Sequence, residues 1–420
     1  MTLNRTEAPA LKVIDKIDFV APAKYAISDL VDLYHMKDVP NETARLDLYF
    51  DAGKCRATNG IPSFVNGLLL SGTAQSTSVE IHEKINGLGG FYESGVSMEN
   101  AVITVYSLRE NLPAIFETII DAVQHLAFDS KEVEELLSDR RQRHSINLEK
   151  VRFLAQREFQ KKIFASEPAY ASVTELEDFN TVKRDDLIAF HEQFYLNGLS
   201  KVVVVGDFSQ KEIESFMKRC EPLVIKEKQH HSSNVAHTSG QFLFEKEGAM
   251  QSAIRVGRTL FNKNDEDYLE FLVLHTILGD YFGSRLMSNI REDKGYTYGI
   301  GTALPELKET GYFLVATEVR KDVREATIQE IKFEIERLQT ELVPIEELEL
   351  VQNYMRGQLL KSADGPYAMT DLFLSAELQG KGLDFYNEAL KRISEITPER
   401  IQFLASKYLR WEDLTIVAYG

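Results

Sequence analysis

Apolar positions along the chain follow two periods. Leu112, Ile115, Phe116, Ile119, Ile120, Val123 and Leu126 recur at steps of three and four, which places them on one stripe of a helix that faces a core. Asn111 and Pro113 suit the start of that helix. Ile328, Ile331, Ile335 and Leu338 repeat the step late in the chain. Strand signals take two forms: β-branched alternation, as in Ala101–Tyr106 and Gly311–Thr317, and short continuous apolar runs such as Val202–Val205.

These elements recur in order. The strand at 101–106 with Leu108-Arg109 corresponds to the strand at 311–317 with Val319-Arg320. Phe128–Val133 resembles Val343–Leu348, and Thr181–Leu196 followed by Lys201–Gly206 resembles Thr397–Leu409 followed by Thr415–Gly420. The offset stays between 211 and 215 residues (Arg109 to Arg320, Val133 to Leu348). A duplicated domain of about 200 residues, an ordinary domain size, accounts for it. Each half mixes strands and helices in no strict βαβ order, which predicts an α+β fold of helices layered on a sheet. The predicted domains are 1–225 and 241–420. Lys226–Gly240, polar and rich in His and Ser, reads as a solvated linker.

Asp and Glu number 65 and Lys and Arg 48 in 420 residues, a net charge of −17. A chain this acidic is a poor general ligand for nucleic acid, which is held by clustered cations. The same field steers basic peptides. Cys55 and Cys220 are too few for a disulfide framework or a Cys-rich zinc site. No apolar run approaches the ~20 residues that cross a bilayer, so no membrane contact is expected. The charges of Arg5, Glu7, Lys12, Asp15, Lys16 and Asp18 leave no signal-peptide core. The expected location is cytoplasmic.

No P-loop, G-x-G-x-x-G or G-x-S-x-G is present. Gly87–Gly90 suits a tight turn between a helix and a strand. None of the nine histidines lies four residues from another, so no helical H-x-x-x-H zinc pair exists. His230, His231 and His237 cluster only in the linker. His82-Glu83 and His191-Glu192 read as helix-surface residues. The stretch Ser284–Gly301 is unusual: a helix ends in the charge cluster Arg291–Lys294, Gly295 stops it, and an aromatic, glycine-rich strand follows. With Arg291 and Tyr298 in one cleft across that turn, a guanidinium fork and a phenol would together donate to a peptide carbonyl or an oxyanion. A surface Arg and a Tyr packed on the sheet is the other arrangement open at this point.

At this stretch the sequence resembles the pitrilysin/insulinase metallopeptidases, the inverzincins, and within them the half-size subunits that include mitochondrial processing peptidase. Gly283–Arg285 matches the family's small-residue-Arg-Leu stretch, and Arg291, Glu292, Gly295 and Tyr298 match its Arg-Glu-x-x-Gly-x-x-Tyr run. Ala44–Gly53 looks like its first core strand, and Gly72-Thr73 and Ile85–Gly90 like its Gly-Thr and Gly-Gly landmarks. The resemblance covers nearly the whole chain and implies two metallohydrolase-like domains of the processing-peptidase type.

One motif departs from the pattern. Active members carry H-x-x-E-H ahead of the Gly-Thr landmark, with two His on zinc and the Glu as general base. Here Ser63 and Gly67 stand at the His positions and Asn66 at the Glu position. Neither Ser nor Gly offers an imidazole, and Asn accepts no proton. Glu149 lies in the region of the third ligand but does not align securely. The chain is expected to hold no zinc of its own. The resemblance further implies a divided site: a homologous partner subunit supplies H-x-x-E-H and zinc, and Arg291 and Tyr298 of this chain grip the peptide beside it. The acidic balance suggests that such a chamber favours basic or neutral peptides. Two other readings remain at this point: an inactive scaffold or peptide-binding homodimer of the same fold, and a hydrolase with Ser63 or Cys55 as nucleophile.

Overall fold

The computed structural model describes residues 14–37, 42–227 and 235–420. The first half runs β1 (Ala23–Ala26), β2 (Asp32–Met36), β3 (Thr43–Phe50), α1 (Ile61–Leu68), α2 (Ser78–Gly87), β4 (Phe91–Val96), β5 (Ala101–Leu108), α3 (Leu112–Gln124), α4 (Ser130–Leu148), α5 (Val151–Ile163), the short α6 (Pro168–Ala171) and α7 (Asp178–Thr181), α8 (Arg184–Phe194), β6 (Leu199–Val205) and α9 (Gln210–Cys220). The second runs β7 (Gly240–Phe244), β8 (Gln251–Leu260), α10 (Tyr268–Gly279), a π-helical turn (Met287–Asp293), β9 (Thr297–Ala303), β10 (Gly311–Arg320), α11 (Arg324–Thr340), α12 (Ile345–Ser362), α13 (Pro366–Glu377), α14 (Asp384–Glu395), α15 (Pro398–Tyr408) and β11 (Thr415–Tyr419).

The duplication is visible in the strand order. The first sheet is β1-β2-β6-β3-β5-β4 and the second β7-β11-β8-β10-β9. Setting β1 aside, the two orders correspond strand for strand. Among the described strands the one parallel pair of each sheet falls in the same place, β2 with β6 and β7 with β11. The helix at 112–124 and the strands at 101–108, 199–205 and 311–320 stand where the hydrophobic periods predict them.

The continuous apolar runs have a specific cause. Along β6, Val202 and Val204 point into the first domain's own core with Ile115 and Phe116 of α3. Val203 and Val205 point the other way, onto Phe373 and Leu374 of α13, a helix of the second half. The second sheet reverses the arrangement. Ile254 and Val256 of β8 pack in their own core with α10. Ala253 and Val417 meet Ala155, Phe159 and Ile163 of α5, from the first half. Each sheet therefore has one face covered by its own helices and one by a helix lent from the other half. A strand buried on both faces loses its polar alternation. Polar contacts pin the loan: Arg45 reaches Asp371 at 2.7 Å, Tyr34 donates to Glu377 at 2.5 Å, and Tyr367 donates to Thr43 at 2.8 Å.

The segment expected to be a solvated linker is anchored where it is described. Thr238 N–H donates to the Lys162 carbonyl at 2.9 Å, and the ring nitrogens of His237 lie 2.8 Å from Thr259 Oγ1 and 2.7 Å from the Asp413 carbonyl. His230 and His231 lie outside the described residues.

His191 also departs from expectation. It is not on a helix surface but buried, with its Nε2 donating to the Val123 carbonyl at 2.8 Å and its ring against Phe128 and Tyr195. Burial brings its pKa down to about 4, against the smaller upward pull of the Val123 bond. Unfolding returns it to the ordinary 6.5, so the unfolded chain binds the extra proton first. Stability is then full above about pH 6.5 and falls as the pH drops towards 4. A lowering of this size corresponds to ~3 kcal/mol. Urea unfolding from pH 7 to 4 is expected to show a shallower loss for His191→Gln than for the wild type; equal slopes would remove His191 from the acid response.

Candidate functional site

Two places carry the chemistry singled out in the sequence. In the first domain, Gly60 (φ +74) turns the chain into α1, and Pro62 presets its first turn. Ser63, Asn66 and Gly67 follow along that helix. Ser63 opens into a cleft of about 240 Å³ with Lys54, His144 and Arg157. Asn66 and Gly67 border a separate cleft of about 220 Å³ with His82, Tyr92, Glu132 and Glu135. The Asn66 amide is buried and donates to Tyr195 Oη at 3.2 Å. A Cβ added at Gly67 would stand 2.8 Å from Leu136 Cδ1 and 3.2 Å from Arg140 Nη2. The helix α4 thus lies against the bare face of Gly67, and an imidazole there requires both side chains to move.

A zinc ion does not fit these residues. Two of the three positions offer no donor of the required kind, the third is committed to Tyr195, and the nearest ionic group at Gly67 is itself a cation. Among the described residues no three His, Cys, Asp or Glu side chains are grouped to hold a metal ion. Glu149 caps the C-terminus of α4, mostly exposed, and pairs with Lys246 at 2.9 Å. It lines neither cleft beside α1. A nucleophile reading gains little. His144 shares the Ser63 cleft, but no hydrogen bond joins them. Burial pushes the Cys55 thiol up to about 11, away from its reactive thiolate form.

The second place is built on the edge strand β9. Register with β10 pairs Ile300 with Thr317 and Thr297 with Val319, so Tyr298 and Gly299 both face Glu318 across one bulge. Two threonines stitch it. Thr297 Oγ1 donates to the Glu318 carbonyl at 2.8 Å and accepts from Gly299 N–H at 3.1 Å, while Thr317 Oγ1 donates to the Gly299 carbonyl at 2.9 Å. A bulge re-aims the side chain it carries. Tyr298 is held 98% exposed on a backbone with no slack.

Arg291 comes from the π-helical turn that ends at Lys294 and Gly295 (φ +65). The turn is fixed from α11, where Glu330 and Glu334 accept from the Asn289 amide at 3.0 and 2.7 Å. Arg291 lies over the ring of Phe282 at 4.5 Å, and Phe282 is itself 62% exposed. Arg291 is not among the residues lining the cleft of Tyr298, and no hydrogen bond joins the two. Arg285, in the matched small-residue stretch, is structural: its guanidinium forks onto Glu347 at 2.9 and 2.8 Å.

The cleft below Tyr298, about 360 Å³, also contains Gln251, Arg255, Thr317 and Glu318. Arg255 escaped the sequence reading. Its signal was present, an Arg between Ile254 and Val256 in the interior of a strand, but a lone cation carries no motif.

Comparison with known proteins fits this geometry. Residues 34–172 match the family model described as insulinase (peptidase family M16), and residues 181–355 match the one described as the peptidase M16 inactive domain. The chain belongs to peptidase family M16. Within that family, a Rickettsia felis protein named "Uncharacterized zinc protease" is 22% identical over 362 residues, 81% of this chain and 87% of the relative. The Arabidopsis thaliana protein named "Probable mitochondrial-processing peptidase subunit beta" is 20% identical over 409 residues, 90% of this chain and 74% of the relative. Among solved structures, a peptidase M16 inactive domain from Pseudomonas fluorescens superposes with a TM-score of 0.87 at 19% identity, covering 96% of this chain and 98% of the other. The fold is that of M16 proteins of the inactive-domain type.

Proposed function

We propose that this M16 chain is a non-catalytic, substrate-gripping subunit that assembles with a homologous H-x-x-E-H subunit into a zinc-dependent endopeptidase. The observation that carries the reading is Tyr298: a phenol kept wholly exposed by a stitched bulge, in a chain whose own α1 offers no metal ligands. A fixed, exposed donor suits a carbonyl that arrives from outside the molecule. Tyr298 donates to the peptide, and Arg291 moves off Phe282 to share the same oxygen or its neighbour. That contact is an exposed cation–π pair, worth about 0.5–1 kcal/mol, so its release costs little. Hydrolysis itself belongs to the partner.

Arg291 resting on Phe282 also favours a second reading, a scaffold or peptide-binding homodimer in which both side chains serve a protein contact. Reconstitution separates the two. Mixing the purified chain with an H-x-x-E-H subunit from the same source is expected to yield a stable pair that cleaves unstructured peptides, where this chain alone does not. A stable pair without a gain in hydrolysis would support the scaffold.

A further inference from the structure

Arg255 is a buried guanidinium attracted by Glu318 in the same cleft but held in no ion pair among the described residues. It is 8% exposed, and among the described residues no acid group lies within ion-pair distance of it. Its Nε donates to Gln156 at 3.3 Å and its Nη1 to the carbonyls of Ile254 and Thr317 at 2.9 and 3.3 Å. Those three bonds pin the group through Nε and Nη1, none of them is to a carboxylate, and Arg255 lines the cleft under Tyr298. A buried charge is ordinarily paired, because its desolvation is otherwise uncompensated. Burial lowers the pKa of Arg255 from its usual value, with Glu318 pulling it back up and Arg152 adding to the fall.

The approach to Arg255 is open along one row of the sheet. Register places Val417, Arg255, Ala316 and Gly301 side by side, running from β11 to the edge strand. Towards the edge the row carries a methyl group and then no side chain. At neighbouring Gly299 an added Cβ would meet nothing within 4 Å. A second cleft of about 510 Å³ adjoins the first and shares Gln251 and Glu318 with it. Lys150, Arg152, Lys246 and Arg255 line the two clefts against Glu149, Glu247 and Glu318. Lys246 and Glu149 pair at 2.9 Å, and the remaining charges, three cations and two anions, leave the lining slightly positive in a chain of net −17. Glu318, on the same wall, attracts Arg255 without forming an ion pair with it.

We infer that this groove seats the carboxylate of an extended peptide on Arg255, beneath Tyr298. The inference rests on the reading of Tyr298 as a peptide grip and names the ligand end it takes: a carboxylate, whether a C-terminus or an acidic side chain. It replaces the expectation, drawn from net charge, of a preference for basic or neutral peptides. A pinned guanidinium gives up little freedom on binding, and a carboxylate matches its donors.

The test is fluorescence anisotropy on the full-length chain with three N-terminally labelled twelve-residue peptides of Ala, Ser and Gln. One has a free C-terminus, one a C-terminal amide, and one an amide with a single internal Glu. The free acid is expected to bind at least tenfold more tightly than the plain amide. The Glu peptide reports whether a side-chain carboxylate serves equally. Arg255→Gln should abolish the preference, and so should Gly299→Glu, which sets a negative charge in open space without touching Arg255 or the core. Equal binding of acid and amide peptides, unchanged in both variants, would overturn the inference and leave the peptide grip standing. Binding of no peptide by the wild type would overturn both.

Discussion

Tyr298→Phe combined with Arg291→Ala is expected to lower the hydrolytic rate of the reconstituted pair by ~100-fold or more, with the pair still assembling. The size follows from the role. Removing one fixed donor to a developing oxyanion costs roughly 10²–10³ in rate, and two donors on one carbonyl overlap rather than multiply. The specificity of the effect follows from the structure. Tyr298 is 98% exposed and its hydroxyl has no hydrogen-bond partner among the described residues, so the hydroxyl adds little to folding. Arg291 gives up its contact with Phe282, and among the described residues no hydrogen bond or ion pair of its side chain is lost with it. Neither change touches the bulge, which Thr297 and Thr317 hold. The measurement is turnover of a fluorogenic peptide alongside the sedimentation of the mixture. A double variant that cleaves at the wild-type rate would remove the grip from both residues. Thr317→Val is a graded control: it frees the bulge without deleting the phenol, and a smaller loss is expected from it.

Phe159→Ala is expected to destabilise both domains together by about 3–5 kcal/mol, the usual cost of deleting a buried aromatic side chain. Phe159 is 1% exposed and belongs to α5, yet it packs on the sheet of the other half. Its ring fits against Gly257, where an added Cβ would stand 2.9 Å from Phe159 Cζ. Across the molecule, Phe373 of α13 packs on Tyr34 of the first sheet with ring centroids 4.9 Å apart. Losing either half exposes Val203 and Val205 or Ala253 and Val417, residues that are fully buried. A two-domain chain often melts in steps. This one is expected to unfold in a single calorimetric transition, and Phe159→Ala to shift that transition as a whole. Two separated transitions, only one of them moved by the substitution, would show that the exchanged helices do not couple the halves.

The sequence made the repeated elements legible because each rests on local period. The stripe Leu112–Leu126 and the alternation at 311–317 need no knowledge of partners, and the order of the matched segments revealed the duplication. Which sheet a helix covers is not a local property. The stripes of α5 and α13 look alike whether they face home or across, so the exchange was invisible, although the unbroken run Val202–Val205 was its trace. His191 was misjudged for a related reason: a polar residue on a helix reads as exposed until a buried carbonyl, here that of Val123, is found for it. At the site, the residue types at 63, 66, 67, 291 and 298 stood in the sequence. Their geometry did not. The bulge under Tyr298 is a one-residue difference in register, and the stacking of Arg291 on Phe282 depends on a π-helical turn fixed from α11. Arg255 carries no motif, and only its burial without an ion pair among the described residues marks it.

The most direct measurement is a titration of an H-x-x-E-H subunit with this chain, following peptide hydrolysis and bound zinc together. The expected result is no zinc and no hydrolysis in this chain alone, a rate that rises and saturates at one chain per partner, and one zinc per pair. Stoichiometric zinc with hydrolysis in this chain alone, or a partner whose rate is unaffected by it, would contradict the account.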